Sequence, residues 1–512
     1  MTSTRKLTGF ARAARAVVCL GLATTLVAAC SLLLDSGKNQ CDVDDDCAVY
    51  GGHPACRANI CVASNLGPPG CFAGTPTTPA EFANQCSTAR CEPFDNCARL
   101  GLCAAGATLA PAITPPVPDA GVPPDGPVID APPPPVLPAC VDPATRNTVV
   151  VGGSTAVQPL LSIVAPILAA NTPPYQIAYQ PSGSCTGVDG LFSPDPNKRV
   201  VKDIPGKQAL LFHTDGSSEP CTFGAGAALD VAVSDVFASS CTASYATSAQ
   251  LDEYFGPIQP MTFVVPATSS ESSISAEMAH AVFGRGNTDQ LHPYDDPSLY
   301  LIRNASSGTQ QMLSRAIEVD AKHWWGIDQG GSSKVRDTLE AVAPSRASSA
   351  IGILSTDFTD PERSRLRMLA FKGKEQLCGY LPDSTLFTRD KLNVRDGHYS
   401  IWGPVHFFAP VTGGVPGAAA AALVTRFTLP RLDQSLLDAI IKIGFVPACA
   451  MKVQRTTEMG PISPVSPEFQ CGCYFEASVP GGAAPASCKP CNGPADCPAD
   501  RQACNNGYCE VR

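Results

Sequence analysis

Positive charge is scarce in this chain: 36 lysines and arginines stand against 46 acidic residues among 512, for a formal net charge of −10. No basic footprint for nucleic acid and no polybasic membrane patch can be drawn from so few cations. Long hydrophobic runs are missing too, and the apolar stretch from Ala16 to Ala29 is too short to span a bilayer as a mature helix. The histidines at 213, 280, 292, 323, 398 and 406 show no H-E-x-x-H or other ligand spacing, and no serine sits in G-x-S-x-G. An enzyme is therefore not expected, and neither is a metal or cofactor. Length allows two or three domains, and 44% hydrophobic residues suffice for a substantial core.

What is present begins with an export signal. Arg5, Lys6, Arg12 and Arg15 precede the apolar run, so residues 1–29 read as a signal peptide. The run ends in Val27-Ala28-Ala29-Cys30, which resembles the lipobox of bacterial lipoproteins. That resemblance implies lipidation of Cys30 and anchoring in a membrane without a transmembrane helix. The same resemblance, with Ser31 rather than Asp after the cysteine, implies sorting to an outer membrane, facing the periplasm or the cell surface. Of 24 cysteines, Cys19 leaves with the signal and Cys30 carries lipid, so an even 22 remain, as a disulfide-bonded exported chain requires. Nine lie between Cys41 and Cys103, seven between Cys471 and Cys509, and only six in the long middle.

The spacing Cys41-x5-Cys47-x8-Cys56-x4-Cys61 returns as Cys491-x5-Cys497-x6-Cys504-x4-Cys509, an internal repeat too poor in apolar residues to fold by burial alone. Cys488-x2-Cys491 and Cys471-x-Cys473 raise zinc as an alternative, but the remaining tetrahedral spacing is absent. Ala110 to Pro138 is dominated by Pro, Ala, Val and Asp and reads as an extended spacer. From Thr148 onward strand and helix signals alternate, giving an α/β pattern. The expected organisation is a cysteine-rich module at 30–105, a Pro-rich linker at 106–139, an α/β domain at 140–455 and a second cysteine-rich module at 456–512.

The most informative stretch is Arg303-Asn304-Ala305-Ser306-Ser307-Gly308-Thr309, where a strand gives way to a helix. One fixed cation beside hydroxyls and the free N–H groups of a helix N-terminus is a way to hold an oxyanion. Three further loops share this composition, each after a predicted strand: Gly152-Gly153-Ser154-Thr155, Gly183-Ser184-Cys185-Thr186-Gly187, and Ser234-Asp235. In open α/β sheets ligands sit at such strand ends.

With these residues the middle of the chain, roughly Asn147 to Val453, resembles the phosphate-binding proteins of bacterial ABC importers. The four loops carry the resemblance together with the Pro260 to Pro266 strand, Val282-Phe283-Gly284, Ile351-Gly352 and Trp402 to Val411. It implies a two-lobed, periplasmic-binding-protein-like (type II) fold, with lobe I at about 140–262 and 362–455 and lobe II at about 263–361. It places ligand contacts on Thr155, Ser184, Asp235, Arg303, Ser307, Gly308 and Thr309. Asp235 would accept the proton of monohydrogen phosphate and repel sulfate, which has none. The family's acidic residue two positions after the arginine is Ala305 here, so an acceptor for the guanidinium is absent, and Ser306 replaces a glycine. An insertion, Phe192 to Ala228, separates the second and third loops, and pairing among Cys185, Cys221 and Cys241 would pin it beside the pocket.

The function expected is that of a lipid-anchored, monomeric solute-binding protein capturing phosphate or a related oxyanion for an ABC permease or for sensing. The alternative is a cell-surface interaction protein that keeps the lobes as a scaffold and works through its cysteine-rich modules. Trp324-Trp325 admits a carbohydrate platform, though a packing face is the commoner use of such a pair.

Overall fold

Val149 to Val151, Ile177 to Tyr179 and Val231 to Val233 are apolar at successive positions, the pattern of strands covered on both faces. The computed structural model describes residues 55–57, 60–62, 67–104, 107–115, 136–141, 147–485 and 487–511. The residues expected to form an export signal, Cys30 and most of the Pro-rich stretch lie outside these residues. The chain divides into two compact units. In the smaller, Ala55–Arg57 and Ile60–Val62 pair as an antiparallel ribbon, and Cys71 bonds to Cys86. The larger comprises residues 76–85 and 89 onward.

The larger unit is organised by a 12-stranded sheet. Its first lobe contains β1 (Thr148–Gly153), β2 (Gln176–Gln180), the hairpin β3 (Ala209–Phe212) and β4 (Ser218–Cys221), and β5 (Val231–Ser234). β1 lies parallel to both β2 and β5, while β3 adds antiparallel to β2. Next comes the 16-residue β6 (Leu251–Pro266), and the second lobe follows with β7 (Tyr300–Ile302), β8 (Ile327–Asp328) and β9 (Ile351–Ser355). β10 (Trp402–Thr412) returns the chain to the first lobe. The order is β8-β7-β9-β6-β10-β5-β1-β2-β3-β4. β6 is long enough to serve both lobes: Leu251 to Phe255 pair with β10, and Met261 to Val264 pair with β9. A register shift between Phe255 and Ile258 interrupts the pairing with β10, which resumes from Ile258 to Pro260 before β9 takes over.

Each half of the sheet has its own core. Val149, Val151, Leu160, Leu161, Val233, Phe407, Leu423 and Ile440 fill the first lobe, and Phe263, Met278, Phe283, Tyr300, Leu313 and Trp324 the second. A large apolar side chain so enclosed contributes roughly 1.5–3 kcal/mol. The covering helices are α1 (Gln158–Val164), α2 (Ser184–Phe192), α3 (Ala276–Arg285), α4 (Gly308–Ile317), α5 (Ser332–Glu340), α6 (Ala418–Thr428) and α7 (Gln434–Lys442). This is a two-lobed α/β architecture, as expected. The lobe boundary differs from the expectation near residue 362. Leu366–Met368 pairs with the far end of β6, and Leu369, Phe371, Val394 and Tyr399 enter the second core, so the return to the first lobe waits for β10.

Disulfides fasten the flanking segments to this body. Cys91–Glu92 adds to a four-stranded sheet with Ser273–Ser275, Ala370–Lys372 and Gly379–Tyr380, and Cys91 bonds to Cys378. Residues at the start of the Pro-rich stretch also lie on the second lobe: Ile113 N–H donates to Gly284 O and Trp325 Nε1 to Ile113 O. At the other end the bonds are Cys449–Cys471, Cys473–Cys488, Cys491–Cys504 and Cys497–Cys509, which uses every sulfur of the zinc alternative. The helix Gly472–Ser478 sets Phe475 into the core, with the Arg395 guanidinium 5.1 Å from its ring centre and 2.6 Å from Glu476. Among the described residues no helix is long and apolar enough to cross a membrane.

Candidate functional site

The four loops converge where the lobes meet. Ser154 follows β1 and caps a short 3-10 turn, so its hydroxyl accepts from Ala156 N–H and also donates to Asp235 Oδ1 at 2.5 Å. Asp235 follows directly on β5, and its other oxygen accepts from Ser184 at the start of α2, at 3.3 Å. From the opposite lobe the first turn of α4 comes down on this pair. A Cβ on Gly308 would stand 2.4 Å from Ser184 Oγ and 2.7 Å from Asp235 Oδ2, so only glycine lets the helix N-terminus approach so closely. Gly183, at φ +104°, lies against Ser306 in the same way, and Cys185 N–H donates to Ser306 O at 2.9 Å. Ser306, the departure from the glycine of the resembled family, is thus a joint between the lobes.

Arg303 leaves β7 on the second lobe and is almost wholly buried. Gln310 holds its backbone, accepting from Arg303 N–H at 2.9 Å and donating to Ala321 O at 2.7 Å. The guanidinium donates to Ser332 Oγ at 3.0 Å and to Gly330 O at 3.2 Å. These acceptors replace the one absent at Ala305. Asp328 stands behind them, fixing Gly330 N–H and the Asn304 amide. Ser332 also lies 3.3 Å from Thr155 Oγ1, which brings the first loop to the arginine.

Arg303 Nε and Thr309 Oγ1 are buried here with no hydrogen-bond partner among the described residues. Ser307 Oγ caps Gln310 N–H at 3.5 Å. Asp235 neither caps a helix nor pairs with Arg303, since both its oxygens go to serine hydroxyls. Burial pushes its carboxyl above the usual range, against the pull of Ser154, Arg303, Ser184 and His406. Burial likewise lowers the Arg303 pKa from its ordinary value, with Asp328, Asp235 and Tyr179 opposing. The site therefore holds a dry cation and a dry carboxylate apart, amid hydroxyls and a helix N-terminus.

All seven sequence-predicted residues lie in these loops. Ser184, Asp235 and Gly308 touch; Arg303 and Thr155 meet through Ser332; Ser307 and Thr309 belong to the first turn of α4. Sequence reasoning missed Ser332 and Tyr179, whose hydroxyl donates to Ser154 O at 2.5 Å. Ser332 had a signal, because Gly330-Gly331-Ser332-Ser333 opens a helix as the other loops do. The expected pairing near the insertion is corrected in part. Cys185 bonds to Cys241, but Cys221 bonds to Cys140, whose strand-like neighbour Ala139 bridges Thr222 and brings the two sulfurs together.

Histidines are used for structure: His398 contacts Asp396 and Gln85 O, each at 2.6 Å, and His406 contacts Glu253 at 2.6 Å. Trp324 stacks on Phe283 at 4.6 Å within the core, a packing use.

No family model matches this chain, and no curated protein matches it. Among solved structures it is similar to a Clostridium perfringens protein described as a candidate phosphate ABC transporter substrate-binding protein, with bound phosphate, at 12% identity and a TM-score of 0.41. That match covers 59% of this chain and all of the other. An ABC-type phosphate transport receptor from Vibrio cholerae is 15% identical at a TM-score of 0.38, over 58% of this chain and 99% of that one. A human phosphate-binding apolipoprotein is also 15% identical, at 0.36, over 58% and 90%.

Proposed function

We propose that this chain is an exported solute-binding protein whose ligand is an oxyanion, phosphate above all. The observation that carries the reading is that these converging loops bring a buried arginine and the Thr309 hydroxyl, each with an atom unpartnered among the described residues, together with a buried carboxylate held by serine hydroxyls. A buried donor without an acceptor costs about 1–3 kcal/mol, which an anion accepting from Arg303 and Thr309 recovers. Arg303 supplies the strong charge-assisted bonds and the start of α4 supplies N–H groups. Asp235 selects, because monohydrogen phosphate brings a proton for it and sulfate does not.

Capture without a chemical step is the task, followed by release to a membrane importer or a sensor. Lipidation at Cys30 holds the protein to its membrane in this reading, and the nine disulfides among the described residues suit an oxidising compartment. The test is isothermal titration of the full chain, disulfides intact, with phosphate, arsenate, sulfate and molybdate. One-to-one phosphate binding with sulfate excluded is expected. A folded sample that binds none of them would turn attention to a scaffold role.

A further inference from the structure

We infer that Lys207, delivered by the insertion between the second and third loops, is a second cation for the captured anion, set on the first lobe opposite Arg303. The inference rests on the oxyanion reading above and deepens it.

The insertion is anchored at both ends of its course. Its hairpin, β3 and β4, extends the sheet from β2, and Cys221 at the end of β4 is bonded to Cys140. Asp203 gathers the Thr222 hydroxyl and the N–H groups of Phe223 and Gly224. Between these anchors the chain turns sharply: Lys207 N–H donates to Ile204 O at 2.9 Å, and Gly206 takes a positive φ of 76°. This turn sits against the site loop, because Gln180 Nε2 reaches Lys207 O at 3.4 Å and Lys207 Nζ donates to Ser182 O at 3.0 Å. Ser182 is the residue before Gly183-Ser184, where the first lobe meets Ser306. Insertion, turn and ammonium are thus placed at the edge of the anion enclosure.

The ammonium carries three protons, and Ser182 O takes one. Among the described residues no carboxylate lies within ion-pair distance of it, unlike Lys198, which pairs with Asp189 at 3.0 Å. Burial depresses the Lys207 pKa and the Arg303 guanidinium depresses it further, with Asp328 pulling the other way. Two half-matched cations that feel each other across the lobe boundary repel until an anion lies between them. Arg303 and Lys207 also offset Asp235 and Asp328, so a dianion enters a site that is not already negative.

Titration with inorganic phosphate at several salt concentrations tests this on the full chain, comparing wild type, Lys207→Gln, Lys207→Arg and Arg303→Ala. Glutamine can still donate to Ser182 O but has no charge. It is expected to weaken phosphate binding about tenfold at low salt and to flatten the salt dependence, with the melting temperature unchanged, while arginine restores both. Wild-type affinity and salt slope in Lys207→Gln, alongside loss of binding in Arg303→Ala, would overturn the role of Lys207 and leave the oxyanion reading standing. Equal weakening in the Gln and Arg variants would make Lys207 a structural clasp and overturn it too. Absence of phosphate binding by the wild type would overturn both.

Discussion

Around Lys391 three buried charges and the half-buried Arg363 close on one another, whereas around Arg303 two are held apart. Lys391 Nζ lies 2.8 Å from Asp360 and 2.9 Å from Asp383, and Arg363 reaches the same carboxylates at 2.6 and 2.5 Å while donating to Leu386 O and Thr388 O. Burial alone would raise the Asp360 pKa, but Lys391 and Arg363 outweigh it and hold it below the ordinary value. Arg303 and Asp235 are as deeply buried, yet each is turned to hydroxyls and carbonyls, with Arg303 Nε left over. A closed cluster fixes a fold, since removing one member strands the others. An open one is a fold's unfinished business, completed by something that arrives.

Exchanging the fates of the two clusters breaks the comparison most directly. Arg303→Ala should lower phosphate affinity by about a thousandfold or more in titration, while the thermal midpoint falls less than in Lys391→Met, because hydrogen bonds to Ser332 and Gly330 are lost but no ion pair is. Lys391→Met should do the reverse. Denaturant unfolding is expected to register a loss of about 3–5 kcal/mol, while the folded fraction keeps its phosphate affinity. If Lys391→Met proved neutral, the closed cluster would not be the structural element described.

Finer changes sharpen the contrast. Asp235→Asn should admit sulfate, narrowing the ratio of phosphate to sulfate affinity about tenfold or more, since an amide both accepts and donates. The smallest effect is expected at Asp357, whose Oδ1 accepts from Gln259 at 3.4 Å and whose Oδ2 has no hydrogen-bond partner among the described residues. Burial pushes this carboxyl well above its ordinary value, and Asp235 adds to the shift. The native state therefore keeps a proton that the unfolded chain releases above about pH 4, so this group removes stability as pH rises. Asp357→Asn should be more stable than wild type by about 1 kcal/mol at pH 7 and indistinguishable near pH 3 in denaturant melts.

The strands that carry the site were legible because they are buried on both faces and read as unbroken apolar runs, as at Val231 to Val233. α4 was legible because Met312, Leu313, Ala316 and Ile317 keep helical spacing after a capping serine. The hairpin β3–β4 was not: its second strand is Ser-Glu-Pro-Cys, exposed at three of four positions, and edge pairing leaves no periodic trace. Nor were Ser332 as partner of Arg303, or Lys207 beside Ser182. Those are meetings between segments about 30 residues apart, decided by how elements stack and not by any local preference. Ala305 taught the converse, since the missing acceptor in sequence is replaced by Gly330 O and Ser332 Oγ in space.

The Cys185–Cys241 bond joins the residue after Ser184 to the short helix that follows Asp235. Its covalent ring contains Asp235 and abuts Ser184, so these two residues stay tethered on one lobe. Any motion that parts the lobes leaves Ser154, Ser184 and Asp235 as an intact template on one side. On the proposed oxyanion function, an incoming anion would meet a finished half-mould, and only the arginine half would have to find it.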